Sequence, residues 1–374
     1  MRTVLATPFT PSLDSGRARR TYGIVRALAA AAPLDIVYGA FGAPEPDSAY
    51  TGLAGVRLHR VERPGPPARA RAYLGARLRG LPDDFARGVW PGIAARTGDL
   101  AAGAGEARVI AEGPLAAAAL LPFAKRHPAI YCAHNLESSF RHRIGGGAAS
   151  ERGLRRFERL LLERYAESWM VSQTDIEGAR ALAPGARLHL VPNVVDVASI
   201  TPVAARDGQR RVLFLADLGY APNREALQLL LEEAMPRLWQ EAPDVHLIVA
   251  GKGSDGIGAH DPRIEPRGFV PDLRELYEET GCVAVPLLEG GGSPLKFVEA
   301  LAFGVPVVAT PRAAAGLEVS AGEHYVEAEP NGEAFAGGML AALNPALGNP
   351  LARAGRELAE RRYSIEALEV LLAA

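Results

Sequence analysis

The sequence has few cysteines, few aromatic residues and no long apolar run. Only two cysteines, Cys132 and Cys282, occur among 374 residues, and each lies in an apolar, strand-like segment. We therefore expect buried thiols in a reducing compartment rather than a disulfide. No uninterrupted apolar stretch is long enough to cross a bilayer, and the start MRTVLATPFTPS lacks an apolar region of signal-peptide length. These absences predict a soluble, cytoplasmic protein.

Neither sign of charge dominates the chain. The formal net charge is −2, with 48% hydrophobic and 22% charged residues, as is typical of a globular protein. The balance predicts no general affinity for nucleic acid or an anionic membrane, so an anion site must be local. In ARARAYLGARLRG (68–80), arginines surround Tyr73, Leu74 and Leu78. That segment leaves peripheral membrane contact open, although a solvated amphipathic helix is the favoured interpretation.

Signatures of metal and hydrolase chemistry are missing. The sequence has no HExxH motif, no Cys-x-x-Cys spacing and no nucleophile elbow. The acidic pair in PDDF (82–85) has no partner cluster, which predicts a solvated loop rather than a metal site. GKGSDG (251–256) matches a dinucleotide-binding pattern, but polar, proline-containing residues follow it. A loop is therefore predicted there instead of the helix that such a site requires.

Apolar strand-like runs alternate with helical patterns in two blocks. The first block extends from RTVLATPF to SWMVS, and the second from RVLFLADL to VPVVAT. Turn-rich, polar residues around 192–210 separate them and are predicted to form a linker. Such alternation predicts α/β architecture with two doubly wound parallel sheets and a cleft between them. Ligands in such sheets bind beyond the carboxyl ends of the strands.

The most informative segment is LLEGGGSPLKFVEALAFG (287–304), which connects a strand-like run to a predicted helix. Ser293 suits an N-cap and Pro294 the first helical position. Glycines 290–292 allow a ligand to approach the backbone closely. The first turn of the helix, with its unpaired N–H groups and its dipole, favours an anion.

Two charged side chains extend this pattern. Lys296 adds a positive charge to the first turn, which is unfavourable there unless an anion is bound. Glu299 lies three residues further on the same helical face, where it suits the adjacent hydroxyls of a sugar. Together they predict a nucleoside-diphosphate site. A tight turn with a surface Lys–Glu pair is the alternative.

PLLEGGGSPLKFVEALAFGVPVVAT (286–310) resembles the donor-binding segment of family 4 glycosyltransferases, which have the two-Rossmann GT-B fold. LDSGRARRTYGIVRALA, YCAHNLES and RGFVPDLRELYEETGCVAVPLLEG resemble further parts of that family, so that the similarity covers most of the chain. The last run, RRYSIEALEVLL, resembles the family's helix that crosses back to the first domain. We predict a Rossmann-like acceptor-side domain (1–195), a linker (196–209), a Rossmann-like donor-nucleotide domain (210–355) and a returning helix (356–374).

The resemblance implies retaining, metal-independent transfer of a sugar from a nucleotide-diphosphate donor to a glycan, lipid-linked sugar or small natural product. The nucleotide sugar is a co-substrate, so no cofactor is expected, and the partners are that donor and an acceptor, without nucleic acid. Lys296 would hold the diphosphate, Glu299 the ribose hydroxyls, and His134 would lie beside the donor sugar. The implied catalytic residues are His134, Lys296 and Glu289. The implied donor-nucleotide-binding residues are Gly16, Lys252, Phe269, Val270, Gly291, Gly292, Ser293, Pro294, Leu295, Lys296 and Glu299.

Some positions depart from the family's pattern. A basic residue that many members carry after the first strand of the second domain is missing from Ala216–Gly219, and Cys132 replaces a usual aspartate. Two other functions therefore stay open. One is a nucleotide-sugar 2-epimerase of the same architecture, for which His134 and Glu289 are the visible acid/base groups. The other is a non-catalytic subunit that binds a nucleotide sugar or supports a partner transferase.

Overall fold

A computed structural model describes residues 2–41, 45–103, 107–139, 148–203, 208–258, 260–289 and 293–373. The chain divides into two compact units. The first comprises residues 1–192 and 368–374, and the second comprises residues 193–367.

The first unit is built on seven strands, β1 (Arg2–Phe9), β2 (Leu34–Phe41), β3 (Val56–Val61), β4 (Ala107–Glu112), β5 (Ile130–Cys132), β6 (Glu167–Met170) and β7 (Leu188–Leu190). They form a parallel sheet in the order β3-β2-β1-β4-β5-β6-β7. Near-continuous burial along β1 and β2 fits a sheet covered on both faces. The winding reverses between β1 and β4, so the carboxyl ends of these strands form a switch point.

Eight helices belong to the described part of this unit. They are α1 (Gly16–Ala31), α2 (Ser48–Thr51), α3 (Pro66–Leu78), α4 (Asp83–Arg87), α5 (Pro91–Ala102), α6 (Gly113–Ala124), α7 (Ala148–Arg164) and α8 (Gln173–Leu182). A 3-10 turn spans Glu137–Ser139. The acidic pair of PDDF opens α4, so the predicted loop is wrong there, and Arg87 donates to Asp83 at 2.6 Å one turn along this short helix. Trp90 and Trp169 are buried packing residues.

The second unit contains six strands, β8 (Arg211–Leu215), β9 (His246–Ala250), β10 (Ile264–Gly268), β11 (Cys282–Val285), β12 (Val307–Ala309) and β13 (Val326–Glu327). Their order is β10-β9-β8-β11-β12-β13, again parallel. Its switch point lies between β8 and β11. Two doubly wound sheets confirm the predicted fold class. The polar edge strand β10 was not predicted, and its Pro266 is tolerated because an edge strand has one unpaired side.

The helices of the second unit follow the same alternation. They are α9 (Ala221–Leu229), α10 (Met235–Glu241), α11 (Leu273–Glu278), α12 (Leu295–Phe303), α13 (Pro311–Ala314), α14 (Gly332–Leu343), α15 (Pro345–Arg362) and α16 (Ile365–Ala373). A π-helical turn, Leu230–Ala234, joins α9 to α10. Residues 251–256 form turns, which confirms the predicted loop at GKGSDG. The last residues of α16 belong to the first unit, where Arg108 donates to the Leu372 carbonyl at 3.4 Å.

Helix α12 is tied at both ends to the segment that enters the second unit. Asn193 Nδ2 donates to the Ser293 carbonyl at 2.5 Å, and the Val203 amide donates to the Phe303 carbonyl at 2.8 Å. The guanidinium of Arg356, on α15, donates to the carbonyls of Val197, Ile200 and Ala302. Segment 193–203 and α12 are therefore joined along the length of the helix.

Both cysteines are buried and free. Burial raises the pKa of Cys132 to about 11 and that of Cys282 to about 12, so both are thiols at neutral pH. The expectation of buried thiols is confirmed. Across the described ranges, no helix is long and apolar enough to cross a bilayer.

Candidate functional site

The switch point of the second unit carries the predicted glycine-rich segment. Helix α12 begins at Leu295, with Pro294 in the cap position and no side-chain cap bond. The predicted cap at Ser293 is wrong, because Asn193 holds the Ser293 carbonyl one residue outside the cap position. The Ser293 hydroxyl is buried and has no hydrogen-bond partner among the residues that the structure describes. A buried hydroxyl at this edge is available to a ligand.

Lys296 is half-buried in the first turn of α12. Its ammonium donates to Asn223 Oδ1 at 3.0 Å and lies 5.3 Å from the centroid of the Phe214 ring. Within the described ranges it forms no ion pair with a carboxylate. Burial lowers the pKa of Lys296 to about 8, against the opposing charge of Glu299. The helix terminus thus holds a cation with neutral hydrogen-bond and ring partners, which favours an anionic ligand.

Asn223 connects this lysine to the turn after β8. Asn223 is buried, and its Nδ2 donates to the Asp217 carbonyl at 2.8 Å while its oxygen accepts from Lys296. Asp217 Oδ1 in turn accepts from the Gly219 amide at 2.8 Å. Asn223 is a site residue that was not predicted from the sequence. Its signal is the Pro-Asn pair at the start of α9, which resembles family members without a basic residue in this turn.

The remaining residues of the segment flank the lysine. Glu299 is buried one turn further along α12. Glu289 is half-buried on the other side of the glycines. The predicted Gly291 and Gly292 lie outside the described residues, as does Gly290. Ser293, Pro294 and Leu295 adjoin Lys296 directly, so five predicted donor-site residues share one strand-to-helix connection.

An exposed aromatic residue lies beyond the edge strands. Phe269 follows β10 and is 51% exposed, and the Lys252 ammonium lies 5.8 Å from its ring centroid. Val270 beside it is half-buried. The loops carrying them meet where the Gly251 amide donates to the Gly268 carbonyl at 2.7 Å. The structure thus brings the predicted residues Lys252, Phe269 and Val270 together at one corner of the sheet.

Gly251 permits this corner. Its φ is +115°, and a Cβ there would lie 2.0 Å from the Ala216 carbonyl oxygen. The close approach brings the loop after β9 against the end of β8. Arg267, near the same corner, donates to Glu265 at 2.7 Å and to Glu279 at 3.1 Å.

The first unit has a buried carboxylate at its own switch point. Glu112 ends β4 and is fully buried. Its oxygens accept from Thr7 on β1 at 3.0 Å, from Thr21 on α1 at 2.6 Å, and from His134 Nε2. Burial raises the pKa of Glu112, but the charge and hydrogen bond of His134, with help from Arg17 and Thr21, lower it to about 2. Glu112 therefore fixes the imidazole and is anionic.

Glu112 was not predicted from the sequence as a site residue, although its partner His134 was. Its signal is a carboxylate that terminates the apolar run ARVIAE just before a Gly-Pro pair. Gly113 completes the pocket, since its φ is +79° and a Cβ there would lie 2.5 Å from His134 Cε1. The predicted Gly16 is the exposed first residue of α1, capped by Ser15, which accepts from the Ala18 amide at 3.3 Å. His134 and Gly16 thus both lie near the carboxyl ends of β1, β4 and β5.

The segment after His134 is held by two further buried carboxylates. Asp175 accepts from the Leu136 amide at 3.0 Å, and Glu158 accepts from the Ser138 amide at 3.1 Å. Burial raises the pKa of Glu158 to about 7. Its other oxygen is buried without a partner in the described part of the chain. Among the described residues, no group of three or more His, Cys, Asp or Glu is arranged to hold a metal ion.

Part of the second unit is similar in sequence to a known family. Residues 209–344 match the family model "Glycosyl transferases group 1". Phosphatidyl-myo-inositol mannosyltransferase of Mycobacterium tuberculosis is 32% identical over 190 residues, which is 46% of this chain and 49% of that protein. The protein of the same name from Mycolicibacterium smegmatis is 30% identical over 169 residues, 42% of each chain. The chain thus aligns with about half the length of the curated relatives it matches.

Solved structures extend the likeness to the whole chain. Sucrose-phosphate synthase from Thermosynechococcus elongatus has a TM-score of 0.76 at 17% identity, covering 100% of this chain and 97% of that one. Anabaena HepE in complex with UDP-glucose has a TM-score of 0.71 at 16% identity, covering 100% and 98%. These similarities confirm the predicted GT-B fold.

Proposed function

We propose that the protein is a glycosyltransferase that moves a sugar from a nucleoside-diphosphate donor to an acceptor, with retention of configuration and without a metal ion. The observation that carries the proposal is Lys296, a half-buried cation at a helix terminus whose hydrogen-bond acceptor and ring neighbour are both neutral. A diphosphate supplies the missing negative charge. The match of residues 209–344 to the group 1 glycosyl transferase family supports the same assignment.

The roles follow from charge and position. Lys296 and the first N–H groups of α12 bind the diphosphate and stabilise it as it leaves. The Ser293 hydroxyl donates to the same ligand. Glu299 accepts from the two ribose hydroxyls, and Phe269 with Val270 adjoins the base. In the first unit, His134 acts at the reacting sugar as a positioned imidazole, and Glu112 fixes its tautomer and orientation.

Calorimetric titration with UDP, GDP and dTDP tests the nucleotide site. A charge-assisted hydrogen bond contributes about 1.5–3 kcal/mol, so Lys296→Ala should weaken the bound nucleotide roughly ten- to hundredfold. Glu299→Gln, which keeps the side-chain shape, should weaken it in the same direction. Lys125→Ala removes an equal charge from an exposed position in the first unit and is the matched control. Binding of no nucleotide, or equal binding by wild type and Lys296→Ala, would refute the proposed site.

Turnover assays separate transfer from the other functions. The HepE structure contains UDP-glucose, and the curated relatives are mannosyltransferases. Glucose and mannose donors are therefore tested first, with glycan and lipid acceptors. Transfer should proceed in EDTA and give a product with the donor's anomeric configuration by NMR. His134→Ala should abolish transfer and leave nucleotide affinity unchanged. Epimerised donor without acceptor would indicate an epimerase, and binding without turnover a non-catalytic subunit.

A further inference from the structure

Helix α3 presents an unusual surface. Leu74 is 59% exposed and Leu78 is 89% exposed, and the two lie one turn apart on the same helical face. The opposite face is anchored, because Ala76 is buried and Tyr73 donates to Asp83 at 2.6 Å. The leucines therefore stay exposed when the helix is packed on its unit. Exposed leucines of this size are a feature of binding surfaces.

The charge around these leucines has one sign. The stretch 63–82 contains five arginines and neither Asp nor Glu, within a chain whose net charge is −2. Arg71 and Arg77 are exposed and lie on either side of the leucines on the helical wheel. Within the described ranges, none of the five arginines is in an ion pair. A local excess of positive charge favours an anionic partner.

We propose that α3 docks on an anionic lipid bilayer, with Leu74 and Leu78 inserted among the acyl chains and the arginines bound to the headgroups. The pattern is that of an interfacial helix, in which an apolar stripe is bordered by cations whose side chains reach the phosphate level. A nucleic acid would match the charge and leave the two leucines in water. An anionic lipid surface matches both features.

Vesicle co-sedimentation tests the proposal on the full chain. Wild type should sediment with vesicles of phosphatidylcholine and phosphatidylglycerol, remain in solution with phosphatidylcholine alone, and release as salt rises. Arg71→Gln with Arg77→Gln should lower the partition coefficient about thirtyfold, at about fivefold per arginine. Leu74→Ser with Leu78→Ser keeps every charge and should lower it at least about tenfold.

Matched variants control for surface exposure and folding. Leu347→Ser changes a leucine that is 53% exposed on α15, and it should partition like wild type. Thermal unfolding shows whether each variant is folded, since Arg77 also donates to the Leu81 carbonyl at 2.6 Å, whereas Leu74→Ser with Leu78→Ser changes only exposed side chains. Failure of wild type to bind anionic vesicles, equal loss in Leu347→Ser, or retention on heparin without vesicle binding would each overturn the proposal. Nucleotide titration of the same variants is unaffected in either case, so the donor-site proposal stands or falls separately.

Discussion

The two switch points have the same topology and opposite electrostatics. In the first unit, Glu112 is a buried anion with Thr7, Thr21 and His134 as partners. In the second, Lys296 is a half-buried cation whose hydrogen-bond acceptor is the amide of Asn223. The first arrangement is complete within the protein, whereas we propose that an anion completes the second. A doubly wound sheet thus supplies a position for a ligand, and the side chains at the strand ends decide what occupies it.

Removing each central charge should have opposite effects on stability. Glu112→Ala leaves Thr7, Thr21 and His134 without their acceptor and should lower the free energy of unfolding by about 3–5 kcal/mol. Lys296→Met removes a poorly compensated charge and should leave stability unchanged or raise it. Urea denaturation of both variants measures the difference. A stability loss in Lys296→Met equal to that in Glu112→Ala would show that the lysine is already paired.

Two buried carboxylates of the first unit should give opposite dependences of stability on pH. Glu112 has a pKa of about 2 when folded, so its stabilisation is present above pH 4.5 and is lost as pH falls towards 2. Glu158 keeps its proton up to about pH 7 when folded. The folded state then binds more protons than the unfolded state between pH 4.5 and 7, so stability falls as pH rises through that window. Each effect is about 3 kcal/mol.

Urea denaturation at several pH values between 3 and 8 measures whether stability rises or falls with pH in each window. Glu158→Gln should be more stable than wild type at pH 8 and should lose the decline between pH 4.5 and 7. Glu177→Gln changes an exposed carboxylate on α8, and it should follow the wild-type curve. An unchanged decline in Glu158→Gln would contradict the assignment.

The protonation of Lys296 should appear in ligand binding. Because its pKa is about 8 without ligand, a bound anion favours the charged form and should cause proton uptake near that pH. Nucleotide affinity should fall by up to about tenfold per pH unit above 8. Calorimetry in buffers of different ionisation enthalpy measures the uptake. Lys296→Arg stays charged and should bind without it; proton uptake in that variant would place the titrating group elsewhere.

Asn223 should give the smallest effect. Asn223→Ala removes one neutral hydrogen bond to the Lys296 ammonium, and the expected loss of nucleotide affinity is about fivefold, or about 1 kcal/mol. Gln228→Ala, an exposed amide on α9 that bonds Glu232, is the control in the same titration. A larger loss than in Lys296→Ala would mean that Asn223 contacts the ligand itself.

The sequence predicts local structure well and contacts poorly. The apolar runs of β1, β8 and β11 and the periodicity of α7 identify these elements because a buried strand or an amphipathic face leaves its mark within a few residues. By contrast, Lys296 and Asn223 are 73 residues apart, and His134 and Glu112 are 22 apart. Spacing carries no record of such a pair, since the order of strands in the sheet brings the partners together.

Exposed and edge elements were also hard to predict. Strand β10 contains Pro266 and charged residues, so neither alternation nor propensity marks it. Ser293 looks like a cap by residue type. Its place outside α12 depends on Asn193, a partner 100 residues earlier in the chain.

Hydrogen bonds at both ends of α12 couple the helix to segment 193–203. Segment 193–203 donates hydrogen bonds to the Ser293 carbonyl at one end and to the Phe303 carbonyl at the other. Arg356 joins the Phe303 end to the same segment through the carbonyls of Ile200 and Ala302. A displacement of the Lys296 end of α12 should therefore be transmitted to the segment through which the chain enters the second unit. The path from Lys296 to that entry point is the length of one helix.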